Sequence, residues 1–448
     1  VTLRFGTDGV RGPADELTDH LVRALGHAAA AVLGGDRFVI GRDPRESGVR
    51  IEAALAHGLE AGGASTEILG VVPTPAVAWV CADRRVAGAM ISASHNPYRD
   101  NGIKFFAQGG LKLTDAVEAE LEAELDRLLV DPPGALAEAA PARVADAAVD
   151  LRRYQESLAA SLGGRRLDGL RVVIDCAHGA ASTVAPVVLE GLGAVVEVLH
   201  AEPSGRNIND ASGSTHPEAL QAAVVAAGAD AGLAFDGDAD RVLAVDEAGA
   251  LIDGDRLIAL CALDLRDRGE LADDTVVVTV MTNLGFHRAM AEHGIKVVET
   301  QVGDRYVLEA LEAGGLSLGG EQSGHVIFRQ RATTGDGLLT GVQLLDLLVR
   351  SGRPLSELAS EAMTRLPQVL LNVEVPRRTP SIVGEVLAAI ADDVARVEAE
   401  LGSRGRVLVR ASGTEPLIRV MVEAPEAGQA REVAERLVAA VGRAVPPA

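Results

Sequence analysis

Aromatic residues are nearly missing from this chain: seven Phe, three Tyr and one Trp make up 2% of its 448 residues. The interior must therefore be packed from Ala, Val, Leu and Ile, and the stacking platforms that single-stranded nucleic acids require are too few. Lysine is scarcer still. Only Lys104, Lys112 and Lys296 occur, so nearly all of the 42 basic residues are arginine. Against 64 acidic residues they leave a formal charge of -22, which opposes a polyanionic partner but allows a small phosphorylated ligand in a concentrated basic pocket. Three widely spaced cysteines, Cys81, Cys176 and Cys261, exclude a disulfide framework and fit buried thiols in a reducing compartment. No apolar run is long enough to cross a bilayer, and "VTLRFGTDGVRG" has no signal-peptide core, so a cytoplasmic protein without a membrane or nucleic-acid partner is expected.

What is present is a pattern that repeats. "RFVIGRDPRESG" from Arg37, "LRVVIDCAHGAAS" from Leu170 and "DTVVVTVMTNLGF" from Asp274 each run from a β-branched strand into a polar loop and then a helical pattern. Three α/β units of similar construction follow, with ligand loops expected at strand carboxyl ends. The Pro/Ala-rich "VDPPGALAEAAPARVADAAVD" reads as a linker followed by a helix, and a second break falls near Pro367. Beyond it come the strand "QVLLNVEV", one long helix around "VGEVLAAIADDVARVEAEL", the strands "GRVLVRAS" and "PLIRVMVEA", and a last helix, an α+β unit. The expected domains are 1–150, 151–250, 251–366 and 367–448.

Several stretches could carry chemistry. In "AGLAFDGDADRVLAVDE", Asp236, Asp238 and Asp240 alternate, so an extended segment would aim three carboxylates to one side, about 6.6 Å apart. Each pair then repels by about 2.5 kcal/mol, which a divalent cation such as Mg²⁺ would reverse. A solvated acidic turn and a phosphatase with Asp236 as nucleophile are rivals. An EF-hand has Glu247 at its twelfth position but Arg241 where glycine is required.

"RFGTDGVRG" places Arg4 and Arg11 about a flexible turn. "VRASGTEPLIR" offers Arg410, Ser412, Gly413, Thr414 and Arg419 as a phosphate clamp, or only a β-turn. "LGGEQSGH" alternates Glu321, Ser323 and His325, which on a common side would suit adjacent sugar hydroxyls; a polar hairpin with a capping Glu is the plainer reading. Finally, "AMISASHNPYRDNGIKFF" ends an apolar strand in Ser92, Ser94, His95 and Asn96, then is expected to turn at Pro97 and again at Asn101-Gly102, close to Lys104. No G-x-S-x-G elbow accompanies this serine, whereas a cation site and a phosphate clamp in the same chain make phosphoryl transfer to Ser94 the coherent chemistry.

Together, "FGTDGVRG", "ISASHNPYRDNGIKFF", "DGDADR", "GGEQSGH" and "RASGTEPLIRVMVE" resemble, in order, the α-D-phosphohexomutase superfamily. "GSTHPE", "TQVGDRYV" and "EQSGH", with Gln322, are similar to its bacterial phosphoglucosamine mutase branch. Ala211-Ser212 stands where relatives often have a cysteine, with no consequence for the chemistry. The resemblance implies three related α/β domains and a TATA-binding-protein-like C-terminal domain around a central cleft. It implies interconversion of glucosamine 6-phosphate and glucosamine 1-phosphate through a 1,6-bisphosphate, towards UDP-N-acetylglucosamine and cell-wall precursors, and it suggests a homodimer. By resemblance Ser94 is the phosphoserine, and Ser94, Asp236, Asp238 and Asp240 hold Mg²⁺. Glu321 and Ser323 contact the sugar, while Arg410, Ser412, Gly413, Thr414 and Arg419 hold the distal phosphate. Arg11 and Lys104 flank the phosphoserine, and one of these or His325 moves the hydroxyl proton. A phosphatase, with water replacing the sugar, is the rival from another class.

Overall fold

A computed structural model describes Gly6 and residues 9–130, 143–144, 147–375, 380–411 and 417–445. Arg4, most of the Pro/Ala-rich stretch, and Ser412, Gly413 and Thr414 lie outside the described residues. The chain groups into two compact units, residues 1–281 with 294–362, and residues 282–293 with 363–448.

The first unit contains three mixed sheets. One consists of β1 (Val10–Pro13), β2 (Arg37–Arg42), β3 (Ser65–Val71), β4 (Ala87–Ile91), β5 (Asp100–Phe106) and β6 (Arg143–Val144), in the order β1-β5-β4-β2-β3-β6. The second orders β7 (Arg171–Asp175), β8 (Val195–Leu199), β9 (Ala231–Phe235), β10 (Val242–Asp246) and β11 (Leu251–Ile252) as β11-β10-β9-β7-β8. The third orders β12 (Thr275–Thr279), β13 (Lys296–Thr300), β14 (Leu318–Gly320) and β15 (Val326–Phe328) as β13-β12-β14-β15. In each, three parallel strands are followed by an antiparallel return: β4 to β5, β9 to β10, β14 to β15. The three expected α/β units are therefore one topology used three times.

Scarce aromatics shape the packing. The central strands β4, β9 and β12 are buried along their whole length and built mainly of Ala, Gly and Val. Small side chains let helices approach closely: a Cβ on Gly26 would meet the Leu55 carbonyl at 2.5 Å, where helices Asp19–Leu33 and Gly48–Ala61 cross. All three cysteines are buried and unbridged, and burial pushes their thiols up.

The second unit holds a three-stranded antiparallel sheet, β16 (Gln368–Glu374), β17 (Arg406–Ala411) and β18 (Leu417–Glu423), in the order β16-β18-β17. Helix Ala427–Ala444 packs its apolar stripe, including Val433, Leu437 and Val441, on this sheet. The single long helix expected before β17 is instead two, Pro380–Ala389 and Ala391–Leu401, with Ile390 between them in a non-helical cap conformation.

Candidate functional site

Ser94 lies just beyond β4 in the turn leading to β5, a hairpin joining the sheet's parallel and antiparallel parts. Its backbone is left-handed, φ 50°, a conformation that costs a serine energy and persists only when neighbours impose it. Arg45 imposes it. Completely buried, this guanidinium donates to the carbonyls of Ser94 (2.9 Å), Asn96 (2.7 Å), Asp100 (3.0 Å) and Pro97, and is held by the Asp43 carboxylate at 2.8 Å. Asn209 Nδ2 adds donors to Ser94 O (2.8 Å) and Asn96 O (3.0 Å). Ser92 Oγ donates to Asp43 (2.6 Å) and accepts from the Ser94 amide (2.8 Å). The turn expected at Asn101-Gly102 is absent: both residues sit in β5, because a bare Gly102 lets the Ser92 and Val10 carbonyls come within 2.7 Å of where a Cβ would stand.

Asp236, Asp238 and Asp240 occupy the equivalent hairpin between β9 and β10. They are not extended as the alternation suggested: the backbone turns, with Ala239 at φ 57°, and the carboxylates converge because the loop curls around them. One oxygen from each lies within 4.8 Å of the others, and all three residues are buried. Ser94 Oγ donates to Asp236 at 2.6 Å, and Thr74 Oγ1, at the start of helix Thr74–Arg84, donates to Asp238 at 2.6 Å. Lys104, buried on β5, reaches Asp238 and Asp240 at 2.9 and 3.0 Å. Gly237 must be glycine, since a Cβ would come within 2.6 Å of Ser94 O.

Burial and the two neighbouring carboxylates hold Asp236 well above the usual range, while Asp240 falls well below it because Lys104, His325 and Arg241 outweigh burial. Asp238 Oδ1 is buried without a hydrogen-bond partner. Three convergent carboxylates, two of them (Asp238 and Asp240) holding a buried oxygen without a hydrogen-bond partner, fit a divalent cation. The EF-hand is excluded, since β9 and β10 flank the loop and Glu247 instead accepts from the Ser356 hydroxyl and amide.

Glu321, Ser323 and His325 form the third equivalent hairpin, between β14 and β15, and are buried to different extents. Ser323 is exposed, Glu321 is half-buried and accepts from the Gly303 amide at 3.1 Å, and His325 is buried. His325 Nε2 accepts from the Gly335 amide at 3.0 Å and lies 3.3 Å from Asp304, with Nδ1 3.8 Å from Asp240. Arg11 on β1 is half-buried, and desolvation lowers its pKa against the pull of Asp238 and Asp240. His95 is held neutral, its pKa lowered to about 4 by burial and by Arg241 and Arg11. In the second unit, Arg410 and Arg419 face each other across β17 and β18, and burial with Arg419's charge lowers Arg410.

Family models for phosphoglucomutase/phosphomannomutase match four segments: α/β/α domain I at residues 2–129, domain II at 152–249, domain III at 253–366 and the C-terminal domain at 370–440. The chain belongs to this phosphohexomutase family. It is 56% identical to phosphoglucosamine mutase of Frankia casuarinae, covering 99% of each chain, and 51% identical to that of Moorella thermoacetica, covering 98% of each. A phosphoglucomutase/phosphomannomutase family protein of Burkholderia thailandensis superimposes with a TM-score of 0.78 at 26% identity, over 99% of this chain and 98% of the other. The fold is shared with Aspergillus fumigatus N-acetylphosphoglucosamine mutase, solved with GlcNAc-6P and magnesium (TM-score 0.71, 20% identity, 100% and 96% covered). Within the phosphohexomutases, the phosphoglucosamine mutase branch read from "GSTHPE" and "EQSGH" is the one its curated relatives occupy, and these are isomerases.

Four participants escaped the sequence reading. Arg45 and Asn209 clamp the serine loop from 49 and 115 residues away. Asp304 pairs with buried Lys112 and faces His325, and Thr74 supports Asp238. Arg45 lies inside the polar loop "GRDPRESG" and Asp304 inside "TQVGDRYV", neither with a role assigned.

Proposed function

We propose that this chain interconverts glucosamine 6-phosphate and glucosamine 1-phosphate, with Ser94 carrying the transferred phosphoryl group. One observation supports this most: a buried serine hydroxyl, on a loop fixed by a buried arginine, points at three clustered carboxylates and a buried lysine. Relatives named phosphoglucosamine mutase at 51 to 56% identity support the choice of sugar.

In the phosphorylated enzyme, the bond from phosphorus to Ser94 Oγ breaks as one forms to the free sugar hydroxyl. The hydroxyl proton leaves, Ser94 Oγ regains a proton, and a 1,6-bisphosphate results. Transfer of the other phosphoryl group back to Ser94 completes the isomerisation. Lys104 and Arg11 supply positive charge beside the transferring oxygens, and His325, packed against Asp240 and Asp304, stands with them as a proton-transfer candidate. Asp236, Asp238 and Asp240 with the Ser94 phosphate would hold Mg²⁺, which when bound neutralises charge on the transferring oxygens. Glu321 and Ser323 serve the sugar hydroxyls. Arg410 and Arg419, which face each other across β17 and β18, with Ser412, Gly413 and Thr414, serve the phosphate that is not reacting.

No helix among the described residues is long and apolar enough to cross a membrane. The test is a coupled assay for glucosamine 1-phosphate from glucosamine 6-phosphate, with Mg²⁺ and a trace of the bisphosphate, on wild type and Ser94→Ala. Turnover lost in the variant supports the reading. Net phosphate release without the 1-phosphate would establish the phosphatase instead, and full activity in Ser94→Ala would remove the serine from the mechanism.

A further inference from the structure

A cavity of about 400 Å³ lies in the first unit, away from the hairpins just described, between helix Thr74–Arg84, helix Ala147–Ala160 and the segment 329–336 that follows β15. That volume is within the range of small-molecule sites. Its floor is apolar, with Pro75, Ala78 and Leu158. Its wall carries Trp79, the chain's single tryptophan in a sequence otherwise poor in aromatics. Thr334, 2% exposed, is one of the lining residues, and its buried hydroxyl has no hydrogen-bond partner. A buried hydroxyl left unpaired costs energy, and a ligand acceptor would recover it.

The charges are placed at the edge. Arg331 and Arg329 line the cavity; Arg331 pairs with Glu270 at 3.6 Å and donates to the Ser161 carbonyl at 3.0 Å, Arg329 pairs with Glu312 at 2.8 Å, and both ion pairs are half-exposed contacts of the kind worth little in water. A phosphate can replace those carboxylates as their partner, since arginine binds it bidentately. An indole with Arg153 over its ring at 5.6 Å, an unpaired hydroxyl and two arginines in half-exposed ion pairs together match a flat heteroaromatic ring that carries a phosphate. We propose that this cavity is a second ligand site, distinct from the Ser94 centre, for a mononucleotide-sized molecule whose base packs on Trp79 and whose phosphate is held by Arg331 and Arg329.

Both walls are tied to the catalytic hairpins. Helix Thr74–Arg84 begins at the Thr74 that supports Asp238, and Gly335, next to Thr334, donates its amide to His325 Nε2. Gly335 also stacks so tightly that a Cβ would meet the His325 ring at 2.4 Å. An occupant that shifts either wall therefore moves groups beside the carboxylate cluster, so binding is expected to change mutase turnover.

Trp79 makes the test direct, because the intrinsic tryptophan fluorescence of the full chain reports on this cavity alone. UMP and AMP are titrated to about 10 mM alongside ribose 5-phosphate and inorganic phosphate. Saturable quenching by a mononucleotide is expected, with affinity at least about tenfold below it for ribose 5-phosphate and at least about tenfold lost in Thr334→Val and in Arg331→Gln. Both variants are checked for folding by their melting curves, and Thr334→Val is close to isosteric. Quenching should persist in Ser94→Ala and resist competition by glucosamine 6-phosphate, which separates this site from the function proposed above. Absence of saturation with every nucleotide, equal affinity in both variants, or displacement by glucosamine 6-phosphate would each overturn the proposal.

Discussion

Arg45→Lys is the substitution that most directly tests whether the serine loop is held in place for chemistry. The wild-type guanidinium makes one ion pair and donates to four carbonyls from a fully buried position. Lysine keeps the charge and can still meet Asp43, but its three donors on one nitrogen cannot span Ser94, Asn96, Pro97 and Asp100. Asn209 continues to satisfy the Ser94 and Asn96 carbonyls and the Asp100 amide that of Pro97, so the acceptor that loses its guanidinium partner without one of these replacements is Asp100 O. The lost guanidinium bond to it predicts a destabilisation of about 1 to 1.5 kcal/mol. Arg45→Ala goes further by stranding Asp43, which then escapes by taking a proton; for a carboxyl of ordinary pKa 3.8 that costs about 4 kcal/mol at pH 7.

The catalytic consequence is separable from the stability loss. Released from two of its anchors, the loop no longer holds Ser94 left-handed against Asp236, and a displacement near 1 Å costs on the order of a hundredfold in rate. For Arg45→Lys we expect kcat to fall about a hundredfold, KM for glucosamine 6-phosphate to stay within about threefold, and phosphate incorporation at Ser94 to fall with kcat. Steady-state assays below the variant's melting range, with mass spectrometry of Ser94, give the readout. A variant that melts earlier yet retains kcat would refute the reasoning, since the clamp would then serve stability alone.

Other outcomes follow from the same geometry. Chelation should abolish turnover and Mg²⁺ restore it, and Asp238→Asn should lower kcat about a hundredfold or more while raising the concentration of Mg²⁺ needed for half-maximal activity. Arg419→Gln should raise KM for the sugar phosphate about tenfold or more. Asp336 is held up to about 6 by burial, so the folded state binds its proton more tightly than the unfolded chain does. Its effect is absent below the ordinary 3.8, destabilises the fold as pH rises towards about 6, and then levels at on the order of 3 kcal/mol. Asp336→Asn should remove that slope, seen as a wild-type-minus-variant difference in urea unfolding between pH 4 and pH 7.

Much of this was legible in the residues, and the failures have physical causes. Strand patterns after Arg37, Leu170 and Asp274 marked three α/β units because buried parallel strands need continuous β-branched and small residues. Ser94, Lys104 and the three aspartates announced themselves as reactive types with no packing reason to be adjacent. Alternation misled at Asp236 to Asp240, since Gly237 and Ala239 are small enough to curl the chain and the carboxylates meet on a turn. Asn101-Gly102 misled in the opposite sense, its glycine serving close strand approach instead of reversal. Arg45 and Asn209 could not be read, because an arginine that grips carbonyls far along the chain has no local signature.

What no single stretch revealed is that the chemistry occupies one topological position three times. Each sheet follows the order second, first, third, fourth strand, as in β3-β2-β4-β5, β8-β7-β9-β10 and β13-β12-β14-β15. Ser94, the aspartate cluster and Glu321 to His325 all fall in the turn from third to fourth strand. In the other connections a helix leaves the parallel strand's carboxyl end and packs back over the sheet. Here the chain instead returns antiparallel, so a short loop stands at that end between two hydrogen-bonded strands. Such a hairpin is anchored on both sides at the end where α/β sheets bind ligands, and so presents side chains more rigidly than a strand-to-helix loop can. Gly237 packed on Ser94 O and Lys104 bonded to Asp238 show two of these hairpins interlocking. In the function proposed above, the triple repeat is thus a functional device as well as an architectural one: three copies of one turn would supply the nucleophile, the cation ligands and the sugar-facing side chains.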